Sequence, residues 1–208
     1  MIRANINHPL RRLFFLPFIR VIFKIYFKGF IIKNRIDIDS NKSVLLFCNH
    51  FSWWDGFFQI LLSEKIYNKK VHILMLESEL KKRKFLTYLG MFGIGQNPRD
   101  VKETADYIAH LLKDSRNLVM ICPQGAIESN HKIEPEWKLT FLDTPKRYNL
   151  NTNLICSFIF PEYLQFYKPS LYVYNYLIDN SILSKEEISF QLSKFYSEAK
   201  IDLNLIKI

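Results

Sequence analysis

Cysteine is scarce in this chain of 208 residues. Its three thiols, Cys48, Cys122 and Cys156, stand apart in apolar runs and form neither a CxxC pair nor a Cys/His ligand spacing. That excludes a disulfide scaffold and a thiolate metal site, and it fits reduced, buried core thiols in a reducing compartment. The apolar N-terminal stretch lacks a small-residue cleavage site, so no removable signal peptide is expected. There is no internal repeat, no linker-like stretch and no clear second domain. The G-x-S-x-G elbow of serine hydrolases is missing, as are helix-turn-helix, zinc-finger and RNP-like signatures. Acidic residues are outnumbered, 20 against 29 basic, for a formal charge of +9, and that balance calls for an anionic partner.

The N-terminal region is apolar and basic together. Residues 13–32 read LFFLPFIRVIFKIYFKGFII, long enough to span a bilayer. Arg20, Lys24 and Lys28 recur every four residues, however, and form one stripe on a helix otherwise built of Phe, Ile, Val and Tyr. Burying those cations in hydrocarbon costs roughly 2.5 to 3.5 kcal/mol each on insertion scales. A helix lying in the interface keeps them at the headgroups. Arg11, Arg12, Lys33 and Arg35 bracket the segment and add attraction to anionic lipid. Residues 1–35 are therefore expected to be a monotopic membrane-association segment, and residues 36–208 the main domain. The alternative is a core helix whose basic edge is solvated. Membrane phospholipid, not nucleic acid, is the expected anionic partner.

Beyond residue 34 the pattern alternates between strand and helix. Residues 43–48 (SVLLFC), 71–76 (VHILML), 117–122 (NLVMIC), 153–160 and 171–178 (LYVYNYLI) read as strands. A helix is expected over residues 55–63. A second has Asp100 and Glu103 as cap and capping partner, and a third is capped by Ser184 and Glu187. This order predicts a single α/β domain, a mixed β-sheet flanked by helices. In such folds the loops at strand ends carry the chemistry. Two unusual polar clusters, NHFSWWD and PQGAIES, lie there.

His50 and Asp55 form H-x-x-x-x-D where the first of these strands gives way to a helix. Five residues do not share a face of one continuous helix, but a turn between them folds the carboxylate back beneath the imidazole. Such a pair suits a general base: the carboxylate holds the tautomer while the other ring nitrogen takes a proton. His72, inside an apolar strand, reads as a core histidine. The basic run Lys81, Lys82, Arg83 and Lys84 is a solvated helix face or a contact for phosphate groups.

With these residues in view, CNHFSWWDG resembles the first signature block, N-H-x-S-x-x-D, of the glycerolipid or 1-acylglycerol-3-phosphate (lysophospholipid) acyltransferase family. ICPQGAIES resembles that family's F-P-E-G-T-R-S block, and FGIGQNPRD occupies the place of an intervening arginine-bearing block. The resemblance covers roughly residues 44–160. It implies transfer of a fatty acyl group from acyl-CoA or acyl-carrier-protein onto a hydroxyl of a lysophosphatidate-like lysophospholipid. His50 would be the base and Asp55 its partner, with no metal, no cofactor beyond the donor and no covalent acyl-enzyme. Asn49, Ser52, Arg99, Pro123, Gln124 and Gly125 are the substrate-binding candidates it implies. Backbone N–H groups near Gly125, and that of Ser52, are candidates to receive the developing oxyanion. The place it implies is the cytoplasmic face of a membrane, as a peripheral protein.

The departures from the family pattern are local. Gln124 stands where Glu is usual, and Ala126 and Ile127 replace Thr and Arg, with Glu128 following. Gln keeps hydrogen-bonding capacity and loses the charge. A glycolipid, pigment or aminolipid acceptor therefore stays open beside a lysophospholipid. A non-catalytic basic membrane-binding module is the reading that the intact His50 and Asp55 argue against.

Overall fold

Short β-branched and aromatic runs build a seven-stranded sheet: β1 (Gly29–Ile32), β2 (Ser43–Cys48), β3 (Lys70–Leu76), β4 (Met91–Ile94), β5 (Asn117–Ile121), β6 (Thr152–Glu162) and β7 (Ser170–Ile178). The computed structural model describes residues 1–133, 135–178 and 184–206. The sheet order is β1-β7-β6-β2-β5-β3-β4. Every neighbouring pair is parallel except β6 and β7. The sheet is therefore mixed, as the alternating pattern predicts. β2 and β5 are buried over their whole length, which is why they read as continuous apolar runs.

Helices cover both faces. On one side, α4 (Pro98–Leu112) and α6 (Lys185–Asn204) lay Ala105, Ile108, Leu112, Ile188, Leu192 and Tyr196 over Leu45, Phe47, Val119 and Phe158. On the other, α2 (Asp55–Lys65) sets Phe57, Ile60 and Leu61 over Val44, Leu46, Leu118 and Met120. Its opposite flank packs Phe58 and Leu62 on Ile159, Leu171 and Val173. α3 (Glu77–Lys82) and a 3-10 turn (Lys84–Leu89) link β3 to β4.

Two expectations need correction. The N-terminal helix is shorter than its apolar run: a π-helical turn (Arg11–Phe15) leads into α1 (Leu16–Tyr26). Residues 29–32 then leave the helix and join the sheet beside β7 as its edge strand. Gly29, at φ 151°, opens that extended path. At α4 the N-cap is Asn97, not Asp100; Asp100 sits at the third helical position and accepts from the Asn97 N–H at 3.3 Å. Pro98 takes the first helical position, where its missing N–H would have no partner anyway. The cap of α6 is as expected, with Ser184 and Glu187 bonded reciprocally at 2.7 and 3.2 Å.

Gly90 closes the 3-10 turn at φ +104°. A Cβ there would lie 2.2 Å from the Val71 carbonyl oxygen. Gly90→Ala is expected to destabilise the fold by more than about 2 kcal/mol, through steric overlap and backbone strain together. Urea denaturation of the two proteins measures it.

Candidate active site

β2 ends at Cys48, and the next six residues turn into α2. The turn is held from within by one carboxylate oxygen. Asp55 Oδ2 accepts from His50 Nδ1 at 2.8 Å and from the Phe51 and Ser52 N–H groups at 2.9 Å each. Ser52 Oγ in turn accepts from the Trp54 N–H at 3.1 Å. Three donors converging on one oxygen is the arrangement of an ionised carboxylate. Because that oxygen can only accept, Nδ1 carries the proton, and Nε2 of the neutral imidazole is left as the acceptor.

Asp55 is sealed, its side chain 2 % exposed, whereas the His50 ring is 27 % exposed. Burial pushes the Asp55 carboxyl up from its ordinary range, against the bonds from His50, Ser52 and Phe51. Burial also opposes the imidazolium of His50, but the hydrogen bond to Asp55 and the neighbouring Cys122 thiol outweigh it, and the imidazole is pushed up to about 10. His72 behaves differently. Buried and 3.3 Å from Asn117 Oδ1, it is driven down to about 4 by burial and stays a neutral core residue.

The second polar cluster closes on the same turn. Gln124 Oε1 accepts the His50 N–H at 2.5 Å, and the Glu128 N–H donates to the His50 carbonyl at 2.8 Å. Gln124 Nε2 donates to Glu128 Oε2 at 2.5 Å, and Lys132 holds the other Glu128 oxygen. The peptide of His50 is thus gripped on both sides by the segment after β5. Gly125 makes that segment possible, with φ +73° and its N–H on the Cys122 carbonyl at 3.1 Å. Asn49, buried, clamps β2 to β6 by exchanging two 2.9 Å bonds with the backbone of Ile159.

His50 and Asp55 lie on the wall of a cavity of about 650 Å³ over the carboxyl ends of β3, β4 and β5. Its lining is mostly apolar, with Met75, Leu86, Met91 and Met120 prominent, and Trp53 and Ile127 on the wall are themselves exposed. Among the described residues, the cations on this wall are Arg83, bonded to Glu79 at 2.7 Å, and Lys138. Among them, too, no three His, Cys, Asp or Glu side chains group as metal ligands.

The structure brings Pro123 and Gly125 to the cavity with the dyad. Asn49, Ser52 and Gln124 brace the turn instead. Arg99 is not brought to the cavity; it lies exposed on the first turn of α4. The N–H groups of Ser52 and Gly125 are already bonded to Asp55 and Cys122, so neither is free to receive an oxyanion. Cys122, expected as a buried core thiol, is only half-buried. It lines the cavity 3.4 Å from Cys48, and its contacts with Cys48 and His50 bring its thiol down to about 7 against burial. Arg83 was visible only as part of a basic run, and Lys138 gave no signal in the sequence at all.

Gln124→Glu is expected to lower the melting temperature near pH 8, because two carboxylates would then face each other where an amide now donates to Glu128. The deficit should narrow toward about pH 5, as one of the facing carboxylates takes a proton. Thermal melts across that range measure it.

The Acyltransferase family model matches residues 29–168, which holds both polar clusters and most of the sheet. No curated protein matches the chain. Among solved structures, the chain is similar to the crystal structure of the 1-acyl-sn-glycerophosphate (LPA) acyltransferase PlsC from Thermotoga maritima. The two share 14% identity at a TM-score of 0.61, over 92% of this chain and 79% of that one. At that identity the likeness is one of fold, and it is the family match across well over half the chain that decides membership. The chain belongs to the Acyltransferase family.

Proposed function

We propose that this acyltransferase moves a fatty acyl group from acyl-CoA or acyl-carrier-protein onto a hydroxyl of a lysophosphatidate-like lysophospholipid, with His50 as general base and Asp55 as its orienting partner. The observation that carries the proposal is the 2.8 Å dyad on the wall of an apolar cavity. The acceptor hydroxyl attacks the thioester carbonyl while Nε2 of His50 takes its proton. The C–S bond then breaks, and the departing thiolate recovers that proton. The step needs positioning and a base, and no group on the protein becomes acylated.

Cavity chemistry supports a lipid substrate. Unbranched and branched apolar side chains would hold an acyl chain, and Lys138, with Arg83 paired to Glu79, offers basic groups on the wall to an acceptor phosphate. The PlsC neighbour acts, by its title, on 1-acyl-sn-glycerophosphate, which agrees with this acceptor class. Association with the cytoplasmic face of a membrane fits the exposure of Leu13, Phe14, Phe18, Val21 and Ile25 along the N-terminal helix, whose buried residue is Ile19. No described helix is long and apolar enough to cross a bilayer. Charge and apolar surface together suit a helix lying in the interface.

Three measurements test the proposal. His50→Ala is expected to lose roughly 10³-fold or more in acyl transfer from radiolabelled donor to lysophosphatidate, and to keep the fold at a lowered melting temperature, because buried Asp55 loses one of its three donors. In the wild type, kcat/KM should keep rising with pH from the neutral range toward about 10, because the imidazole must lose its proton to act and its pKa is pushed up. Asp55→Asn removes the anion that favours the imidazolium, so the rise should move to lower pH while the plateau falls by roughly 10²- to 10⁴-fold. Met120→Trp should shorten the preferred acyl chain by filling the cavity, read as a shift in product chain length. Equal activity of His50→Ala and wild type would remove the proposal.

A further inference from the structure

The longest strands of the sheet, β6 and β7, run past their neighbours and meet in a turn over residues 163–169 that packs on no core. Four large side chains stand out from it: Tyr163, Leu164, Phe166 and Tyr167, the last 87% exposed. The turn is nonetheless well built. The Phe166 N–H donates to the Tyr163 carbonyl at 2.8 Å, and Leu164 sits at φ +46°, a conformation that branched side chains adopt only at a cost. A tight, ordered turn that displays aromatics to water needs a partner to cover them.

Its attachments point to that partner. Lys28 Nζ lies 2.9 Å from the centre of the Phe166 ring, and the Lys28 N–H donates to the Pro169 carbonyl at 2.9 Å. Lys168 Nζ donates to the Lys24 carbonyl at 2.9 Å, at the end of α1. The turn is thus joined to the helix whose outer face exposes Phe18, Val21, Ile25 and Tyr26. Lys24, Lys28 and Lys168 add cations to this joint surface, and no acidic residue occurs before Asp37 or between Tyr163 and Pro169. Aromatic rings beside lysines, with Glu162 at the foot of the turn and Glu64 already paired to Arg20 of α1, match the boundary between headgroups and acyl chains of an anionic bilayer.

The position matters as much as the composition. β6 runs parallel to β2, so its end and the end carrying His50 face the same way. Tyr26 and Phe27 contact Trp54 at 6.3 and 6.1 Å between ring centres, and Trp54 contacts Trp53 at the cavity wall. One surface therefore runs from the β6–β7 turn, past the end of α1, to the cavity.

We infer that the turn from Tyr163 to Tyr167 is a second membrane-inserting element, which enters an anionic bilayer beside α1 and fixes the rotation of the protein so that the cavity opens toward lipid. A helix lying in the interface is free to roll about its axis; a second contact off that axis removes the freedom. The inference deepens the proposed membrane association, and its physical test does not depend on the enzymatic assignment.

The experiment uses the full chain with vesicles of phosphatidylglycerol and phosphatidylethanolamine. Amides of residues 163–168 should exchange more slowly when vesicles are added to the wild type. The variant Tyr163→Ser/Leu164→Ser/Tyr167→Ser, which leaves the Phe166 contact with Lys28 in place, should partition onto vesicles roughly tenfold more weakly or worse. It should lose acyl transfer to lysophosphatidate presented in vesicles while keeping its rate on detergent-dispersed acceptor. Unchanged exchange over residues 163–168, or vesicle partition equal to wild type, overturns the inference. Lack of acyl transfer by the wild type in detergent would instead strike the enzymatic reading, and vesicle binding would still be decided by the exchange data.

Discussion

One carboxylate oxygen holds the site in shape. Asp55 Oδ2 collects the imidazole of His50 and two successive backbone amides, and those three bonds turn the chain from the end of β2 into α2. Buried as it is, the anion would be costly in this place without that many donors. The same bonds that hold Oδ2, while Oδ1 stays buried without a partner among the described residues, set the tautomer and the angle of the imidazole. Folding the turn and orienting the imidazole are therefore a single event. A different acid at this position would have to reproduce the reach as well as the charge.

Around this knot the remaining contacts are bracing. Asn49 ties β2 to β6, and the segment after β5 grips the His50 peptide through Gln124 on one side and the Glu128 amide on the other. The use of Gln in a block where the resembling family has Glu is explained by its neighbour. Gln124 must accept from a peptide N–H and donate to the Glu128 carboxylate at once, and only the amide can do both. The departure from the family pattern is thus local and compensated, and it leaves the dyad intact.

Much of this was readable in the residues, and the failures have physical reasons. SVLLFC and NLVMIC announce β2 and β5 because strands buried on both faces are apolar beyond their first residues, Ser43 and Asn117. β1 was hidden because GFII continues the apolar run of α1 without a polar break, so composition alone cannot divide helix from strand. β4, Met91–Ile94, is too short to stand out beside the turn before it. Asp100 looked like a cap because it stands at capping-box spacing before Glu103, although Asn97 followed by Pro98 is itself a helix start. Arg99 and Lys138 mark the limit most clearly: adjacency to a block in the chain said nothing of who reaches the cavity. That depends on how α4 and the segment before α5 (Thr144–Arg147) pack over the strand ends.

The cavity wall contains Met75, Met91 and Met120. A methionine has three soft torsions and a polarisable sulfur, and it reshapes by swinging a thioether instead of shifting backbone. The three sit among Ile73, Leu86, Ile94 and Ile121, which hold their shape. The wall therefore joins yielding stretches to rigid ones, and a guest lying against the methionines would be met by small rearrangements that the branched side chains would not make.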